Sequence, residues 1–289
     1  VEGVETYTNE FLYDVVELAA DKYALLGRSD TWKRTSPQYE IIEAKRKITF
    51  MDRSGDTVIK TEHEFTQPAS GEYNSIKNLL ITDDSLFAVG AYKASNLPSN
   101  ATDDGYIPTQ GASGAVLFGV DKADGSINEE NIRTAGGLID RYSGDVVQAS
   151  EGDIYVSYNT YNSASASVFH STGQSSDFVT AYGMERVRLA AGDDNNIYMA
   201  GGAVSDNSPS LLVRLNNAEE QERLLLSKYS TNLSIESIQY DKKYGLIVLA
   251  TDKGKFGGLS ANDSYTVIFN IADSLQYLVP ISVVTDYGQ

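Results

Sequence analysis

The chain contains no cysteine, and it has two histidines and one tryptophan among its 289 residues. The missing cysteine excludes disulfides, thiolate metal ligands and a cysteine nucleophile, and two histidines are too few for a zinc site of the usual kind. No apolar run approaches the ~20 residues of a membrane-spanning helix, and no signal peptide opens the chain at Val1. We therefore predict no cofactor, no metal site and no membrane insertion. From the start at Val1 we expect a processed chain or a piece of a longer one.

Positive charge is also scarce, since the chain has 23 basic and 40 acidic side chains and a formal net charge of −17. Such a surface repels phosphates over most of its area, so neither nucleic acid nor an anionic membrane surface is an expected partner. Lys45, Arg46 and Lys47 form the best candidate for a basic patch. We interpret this run as a solvated strand edge, where positive charge discourages pairing with other chains.

Repetition is the main positive feature of the sequence. Five segments share one pattern, in which an apolar strand is followed by a turn rich in Asp, Gly and Asn and by a second apolar strand that ends in small residues. This pattern is typical of a β-hairpin. The five segments are 15–27, 77–90, 145–158, 186–202 and 236–250.

A second pair of strands follows each hairpin, so the sequence predicts roughly twenty strands, with helix confined to fragments such as 218–226. The first two units are lengthened by polar insertions at 28–40 and 92–113. Two terminal segments, 4–11 and 275–284, both fit a strand that joins the first unit to the last, and the sequence does not choose between them. The repeat units of this single domain, 1–289, are predicted at 12–66, 73–134, 142–182, 183–230 and 232–285.

The hairpins, exemplified by GDDNNIYMAGG and EGDIYVSY, resemble the repeats of bacterial β-propellers in secreted and surface proteins. The resemblance covers nearly the whole chain through a loose motif, without the WD dipeptide and without a kelch double glycine in successive units. It implies an all-β propeller of about five four-stranded blades, with six as the alternative. It also implies a secreted or surface protein, such as a lipoprotein, and the turns rich in Ser, Asn and Tyr fit an extracellular location. We expect the protein to be monomeric.

Several motifs in the sequence are candidates for a metal-binding or catalytic site. The segment 121–131 fails as a calcium loop, because placing Gly125 sixth puts Val120 and Lys122 at ligand positions. The acidic pairs at 83–84, 103–104 and 193–194 could bind a hard cation through their carboxylates, but we interpret them as turn residues. The pair at 103–104 is the one that the repeat explains least. A triad of His170 with a serine and an aspartate is conceivable, but no G-x-S-x-G elbow supports it, and His63 is expected on a strand surface. No catalytic residue is assigned.

The favoured function is a non-enzymatic extracellular binding module that recognises a carbohydrate or a protein through its insertions. Aromatic rings supply apolar area there, and neighbouring polar groups fix the orientation of a ligand. One alternative is a glycoside hydrolase with two channel carboxylates, drawn from Glu17, Asp145, Glu185 and Glu236. Another is a structural spacer in a larger surface assembly. The predicted ligand-binding residues are Trp32, Tyr39, Tyr92, Asp103, Asp104, Tyr106 and Tyr158.

Overall fold

The computed structural model describes residues 5–35, 38–53, 62–67, 75–93, 113–137, 141–160, 163–179, 184–203, 210–217, 219–226, 233–252, 265–271 and 278–285. Within these ranges the chain forms twenty strands in five antiparallel sheets, and each sheet holds four strands in chain order. The predicted all-β class is thereby confirmed. The chain divides into two compact units, Val1–Gly137 and Leu138–Gln289.

The first unit contains sheets 1 and 2. The β1–β2 turn is tight because Asp21 adopts a left-handed conformation with φ of 61°, which aspartate tolerates better than most residues. Sheet 1 consists of β1 (Glu5–Ala19), β2 (Lys22–Thr35), β3 (Gln38–Asp52) and β4 (Glu62–Gln67). Sheet 2 consists of β5 (Ser75–Ile81), β6 (Leu86–Lys93), β7 (Ser113–Val120) and β8 (Ile127–Gly137).

The second unit contains sheets 3, 4 and 5. Gly173, with φ of 98°, lies in the turn between the last two strands of sheet 3. Sheet 3 consists of β9 (Arg141–Gln148), β10 (Ile154–Thr160), β11 (Ser163–Phe169) and β12 (Ser175–Val179). Sheet 4 consists of β13 (Met184–Ala191), β14 (Asn196–Ala203), β15 (Leu211–Asn216) and β16 (Glu219–Leu225). Sheet 5 consists of β17 (Leu233–Asp241), β18 (Gly245–Asp252), β19 (Tyr265–Ile271) and β20 (Leu278–Thr285).

The core of each unit lies between successive sheets. In the first unit Leu26 and Ile48 of sheet 1 pack in one cluster with Leu79 and Leu86 of sheet 2. In the second unit one cluster joins sheets 3 and 4 and another joins sheets 4 and 5. Burial of each side chain of this size contributes roughly 1.5–3 kcal/mol, so the packing between sheets is a large stabilising contribution.

The first strand of every sheet contains a β-bulge. A bulge strengthens the local twist and redirects the following side chain. The first strands of neighbouring sheets contact each other within each unit, as β1 does with β5, β9 with β13, and β13 with β17. Polar residues follow the bulges in all five strands, namely Asp14, Asn78, Asp145, Arg188 and Ser237.

Three predictions about elements need correction. Residues 5–11 are the first half of β1 and pair with β2, while residues 278–285 form the fourth strand of sheet 5. The predicted insertion at 28–40 is largely strand, because β2 and β3 continue as a paired hairpin through it. The possible helix at 218–226 contains β16, whose partner β15 draws its apolar residues into a sheet.

Candidate functional site

Sheet 1 extends well beyond the length of its neighbour. Its first three strands contain 15, 14 and 15 residues, whereas the first three of sheet 2 contain 7, 8 and 8. The additional length lies away from the β1–β2 turn. We call residues 5–12, 27–35 and 38–47 the sheet-1 extension. This segment is the feature of the described fold that departs most from the repeat.

One face of the sheet-1 extension carries aromatic side chains. Directly opposed residues of an antiparallel pair project to the same face, and the register places Tyr7 opposite Trp32 and Phe11 opposite Arg28. Tyr7 is 40% exposed and Phe11 is 49% exposed. The pair of Asn9 and Asp30 lies between these two rows. We call the set the aromatic platform: Tyr7, Asn9, Phe11, Arg28, Asp30 and Trp32.

An ion pair stiffens the centre of the aromatic platform. Arg28 Nε donates to Asp30 Oδ1, and the Asp30 side chain is only 4% exposed. Burial opposes the charged form of Arg28, but hydrogen bonds with Asp30 and Tyr13 outweigh it and raise the pKa of Arg28. The guanidinium therefore stays charged and is held by Asp30.

Trp32 has an unmatched donor. Its indole Nε1 is buried and makes no hydrogen bond to any described residue. A buried donor without an acceptor costs roughly 1–3 kcal/mol.

The other predicted residues of units one and two are only partly described. Tyr39 lies in β3 with its backbone opposite Arg34, and Tyr92 lies in β6 with its backbone opposite Gly114. Asp103, Asp104 and Tyr106 lie outside the described residues. Their predicted roles in binding stay predictions.

Tyr158 occupies a different environment from the platform residues. Its side chain is 1% exposed, among the largest fully buried side chains of the described core. It lies in β10, in the second unit, opposite Ser165 and Tyr142. The structure therefore places Tyr158 in the packed interior of the second unit.

Sequence reasoning missed Tyr7 and Phe11. The alternation of Tyr7, Asn9 and Phe11 indicates one face of a strand, but the sequence alone suggests that this strand joins the first unit to the last. Only its pairing with residues 28–34 of β2 reveals that these rings adjoin Trp32.

The turn at 192–196 links neighbouring sheets. Asn195 adopts φ of 61° and is 3% exposed. Its amide Nδ2 donates to Asn217 Oδ1 at 2.8 Å, and its backbone N–H donates to Ser150 Oγ at 3.0 Å. Asp193 Oδ2 accepts a 3.2 Å hydrogen bond from the Tyr240 hydroxyl. The acidic pair at 193–194 therefore belongs to a junction of sheets 3, 4 and 5.

His170 is held between an aspartate and a serine. Its Nδ1 lies 2.8 Å from Asp153 Oδ2, and its Nε2 lies 2.9 Å from Ser176 Oγ. The second oxygen of Asp153 accepts the Ser171 N–H at 2.8 Å. The chain of contacts ties the β9–β10 turn to the β11–β12 turn, and Ser176 lies exposed on the outer strand of sheet 3.

The carboxylates of the hydrolase alternative have separate environments. Asp145 accepts backbone hydrogen bonds from Val146 and Leu189. Glu236 accepts a 3.0 Å hydrogen bond from the Ser234 hydroxyl, and Glu17 is exposed. Glu185 lies in β13 with its backbone opposite Gly202. Both carboxylate oxygens of Asp145 thus accept hydrogen bonds from backbone N–H groups.

The described part of the chain holds no group of three or more His, Cys, Asp or Glu side chains placed to bind a metal ion. Among those residues there is also no helix with the length and apolar character that crossing a membrane requires.

No protein-family model matches the chain, and neither does any curated protein. Among solved structures, a puromycin-hydrolysing peptidase of Mycobacterium tuberculosis is similar at 12% identity and a TM-score of 0.51, over 94% of this chain and 38% of the peptidase. The Dos1 propeller is similar at 12% sequence identity and a TM-score of 0.49, over 99% of this chain and 75% of the Dos1 chain. A quinoprotein alcohol dehydrogenase-like protein of Bacteroides thetaiotaomicron is similar at 11% sequence identity and a TM-score of 0.47, over 96% of this chain and 68% of that protein. The chain spans well under half of the peptidase, and the likeness concerns the fold alone.

Proposed function

We propose that the chain is a β-propeller of five blades and acts as a non-enzymatic binding module at the cell surface. The five sheets of four strands in chain order support this blade number. So do the contacts between the first strands of neighbouring sheets within each unit, because radial packing of such sheets is the arrangement of a propeller.

The aromatic platform is the observation that carries the binding function. Exposed large hydrophobic side chains among the described residues are few, and Tyr7, Phe11, Leu12 and Val15 are all on β1. Exposed rings grouped on one strand are more informative than scattered ones. With Asn9 and the Arg28–Asp30 pair beside them, the rings offer both apolar area and oriented polar groups, which suits a carbohydrate or a protein ligand.

An array of glycans and of surface proteins tests this function. Wild-type chain is compared with Tyr7→Ala, Phe11→Ala and Trp32→Ala. We expect at least one array component to bind wild type and to lose about tenfold in affinity with each variant, since one buried ring at an interface contributes ~1–2 kcal/mol or more. The class of that component decides between carbohydrate and protein.

Tyr244→Ala is the matched control. Tyr244 is 57% exposed, and Lys243 Nζ lies 4.7 Å from its ring centre, in the turn between β17 and β18. It is an exposed aromatic outside the aromatic platform, so its removal is expected to leave binding unchanged. Equal loss in Tyr244→Ala and Tyr7→Ala would contradict a role specific to the platform.

A second candidate function, serine-dependent hydrolysis, is favoured by the contacts of His170 with Asp153 and Ser176. In that reaction Ser176 Oγ attacks an ester carbonyl, its proton passes through His170 to the departing alcohol, and water then releases the acyl group. A fluorophosphonate probe distinguishes the two functions by mass spectrometry. Our proposal predicts no labelling of Ser176 above the level of Ser175, whereas selective labelling that disappears in His170→Gln would favour the hydrolase.

A further inference from the structure

A cleft of about 320 Å³ opens at one end of sheet 2, beside the β5–β6 turn and the β7–β8 connection. Its walls come from two motifs that the binding function leaves unused, the acidic turn at 83–84 and the segment 121–131. The polar residues that line it are Asp84, Ser85, Asp121, Lys122, Asn128 and Asn131.

A break in strand pairing creates the cleft. Val120 pairs with Ile127, and the next pair is Phe118 with Ile132, so four residues of β8 lie opposite the single residue Gly119. Asn131 packs directly on this glycine. A Cβ added at Gly119 would lie 2.8 Å from the Asn131 Cβ, which is too close for two carbon atoms. Gly119 therefore allows Asn131 to form one wall.

Hydrogen bonds connect the β7–β8 connection and the β5–β6 turn, which form the other walls of the cleft. Lys122 Nζ donates to the carbonyl oxygens of Thr82 at 3.3 Å and Asp83 at 3.4 Å, which joins the β7–β8 connection to the β5–β6 turn. Asp121 Oδ1 accepts the Ala123 N–H at 2.7 Å. These contacts fix the shape of the cleft before any ligand enters, which lowers the entropic cost of binding.

Some polar side chains that line the cleft can still form hydrogen bonds with a ligand. The exposed Asp84 carboxylate makes no hydrogen bond or ion pair with another described residue, and only one oxygen of Asp121 has a described partner. Asn131 adds an amide that both donates and accepts. Leu86 and Val120 also border the cleft, but they are 0% and 6% exposed and belong to the core beneath it.

We propose that this cleft binds a single neutral sugar ring or a polyol of similar size. Hydroxyl groups donate to carboxylates and accept from amide N–H groups, so one polyhydroxylated ligand satisfies both kinds of group. The volume lies near the lower end of the roughly 300–1,000 Å³ of ligand pockets, which suits a small ligand. The site is separate from the aromatic platform, and the proposal does not depend on it.

Two other ligand classes fit less well. A phosphate or another anion would meet the carboxylates of Asp84 and Asp121 on a chain of net charge −17. A hard cation such as calcium takes 6–8 oxygen ligands, with several carboxylates among them. The described residues offer no group of three metal-binding side chains here.

Titration with free glucose, galactose, mannose, N-acetylglucosamine and inositol, followed by amide NMR, tests the proposal. We expect at least one of these probes to shift the amides of Gly119, Asn128 or Asn131 saturably. Asp84→Asn and Asn131→Ala are each expected to weaken that probe about tenfold, because a hydrogen bond to a charged or buried partner contributes ~1–2 kcal/mol.

The control is Asp83→Asn, which changes the neighbouring carboxylate that does not line the cleft, and it is expected to bind as wild type. Asp84 is exposed, so its substitution is expected to preserve the fold even if Asn131→Ala does not. The proposal is overturned if no probe saturates at these amides, or if Asp84→Asn binds as tightly as Asp83→Asn. Loss of probe binding in Tyr7→Ala would also overturn it, because the aromatic platform would then be the sugar site.

Discussion

Asp14 in β1 accepts a 2.8 Å hydrogen bond from the backbone N–H of Leu79 in β5, the first strand of the next sheet. Its other oxygen accepts the Val15 N–H at 2.9 Å. Asp145 makes the same two contacts in the second unit, with Leu189 at 2.8 Å and Val146 at 3.1 Å. One carboxylate directly after a bulge thus joins two neighbouring sheets in each unit.

The bridge from Asp145 predicts a measurable loss of stability. Asp145→Ala leaves the N–H groups of Val146 and Leu189 without their acceptor, and unpaired backbone donors that are partly buried cost ~1–3 kcal/mol in total. Urea unfolding is expected to show this decrease in the free energy of unfolding. Glu17→Ala, an exposed carboxylate on the equivalent strand of sheet 1, is expected to change stability by no more than ~0.5 kcal/mol. Equal effects of the two substitutions would contradict the bridging role.

We predict that the contribution of Asp14 to the free energy of unfolding depends on pH. Burial raises its pKa above the ordinary value of 3.8, although hydrogen bonds from Leu79, Val15 and Asn78 act in the opposite direction. The folded chain therefore binds this proton more tightly than the unfolded chain. The contribution of Asp14 to stability is full below its unfolded pKa and is lost as the pH rises through the higher folded pKa.

Unfolding of wild type and Asp14→Asn at a series of pH values measures this contribution. The difference in free energy of unfolding, wild type minus variant, is expected to decrease as the pH rises from below 4 and to become constant above the folded pKa. A difference that increases over that interval would show that the hydrogen bonds outweigh burial and that the pKa of Asp14 is lowered.

Substitutions of Asn195, at the junction of sheets 3, 4 and 5, are expected to separate the effect of its side-chain hydrogen bonds on stability from the effect of its left-handed backbone. Asn195→Gly keeps the left-handed backbone but loses the side-chain hydrogen bonds to Asn217 and Glu151, at a cost of ~1–2 kcal/mol. Asn195→Ala loses the same bonds and also places an alanine at φ of 61°, which adds ~1 kcal/mol. Thermal unfolding is expected to rank wild type above the glycine variant and the glycine variant above alanine. An alanine variant as stable as the glycine variant would exclude backbone strain.

Local turn chemistry explains why the hairpins were predictable. Asp21, Asp194, Asn195 and Gly173 all adopt positive φ, and Asp, Asn and Gly are the residues that tolerate it. Apolar alternation on both sides of these turns predicts the strands. Each signal lies within about fifteen residues of sequence, so one sequence is enough to detect it.

The sheet-1 extension and the cleft depend on pairing between distant segments. The polar stretch SDTWKRTSPQYE has the composition of a loop, yet β1 pairs with its first half and β2 continues through it into β3. Similarly, nothing in Gly119 or Asn131 alone indicates that four residues of β8 face one residue of β7. Register is a property of two strands together, and local composition does not encode it.

The most direct test of the proposed binding function is the affinity of the Tyr7→Ala, Phe11→Ala double variant for the array component that wild type binds most tightly. The double variant is expected to bind at least a hundredfold more weakly, which corresponds to ~2.7 kcal/mol, while Tyr244→Ala retains wild-type affinity. Equal affinity of wild type and the double variant, or no component bound by wild type, would contradict the account.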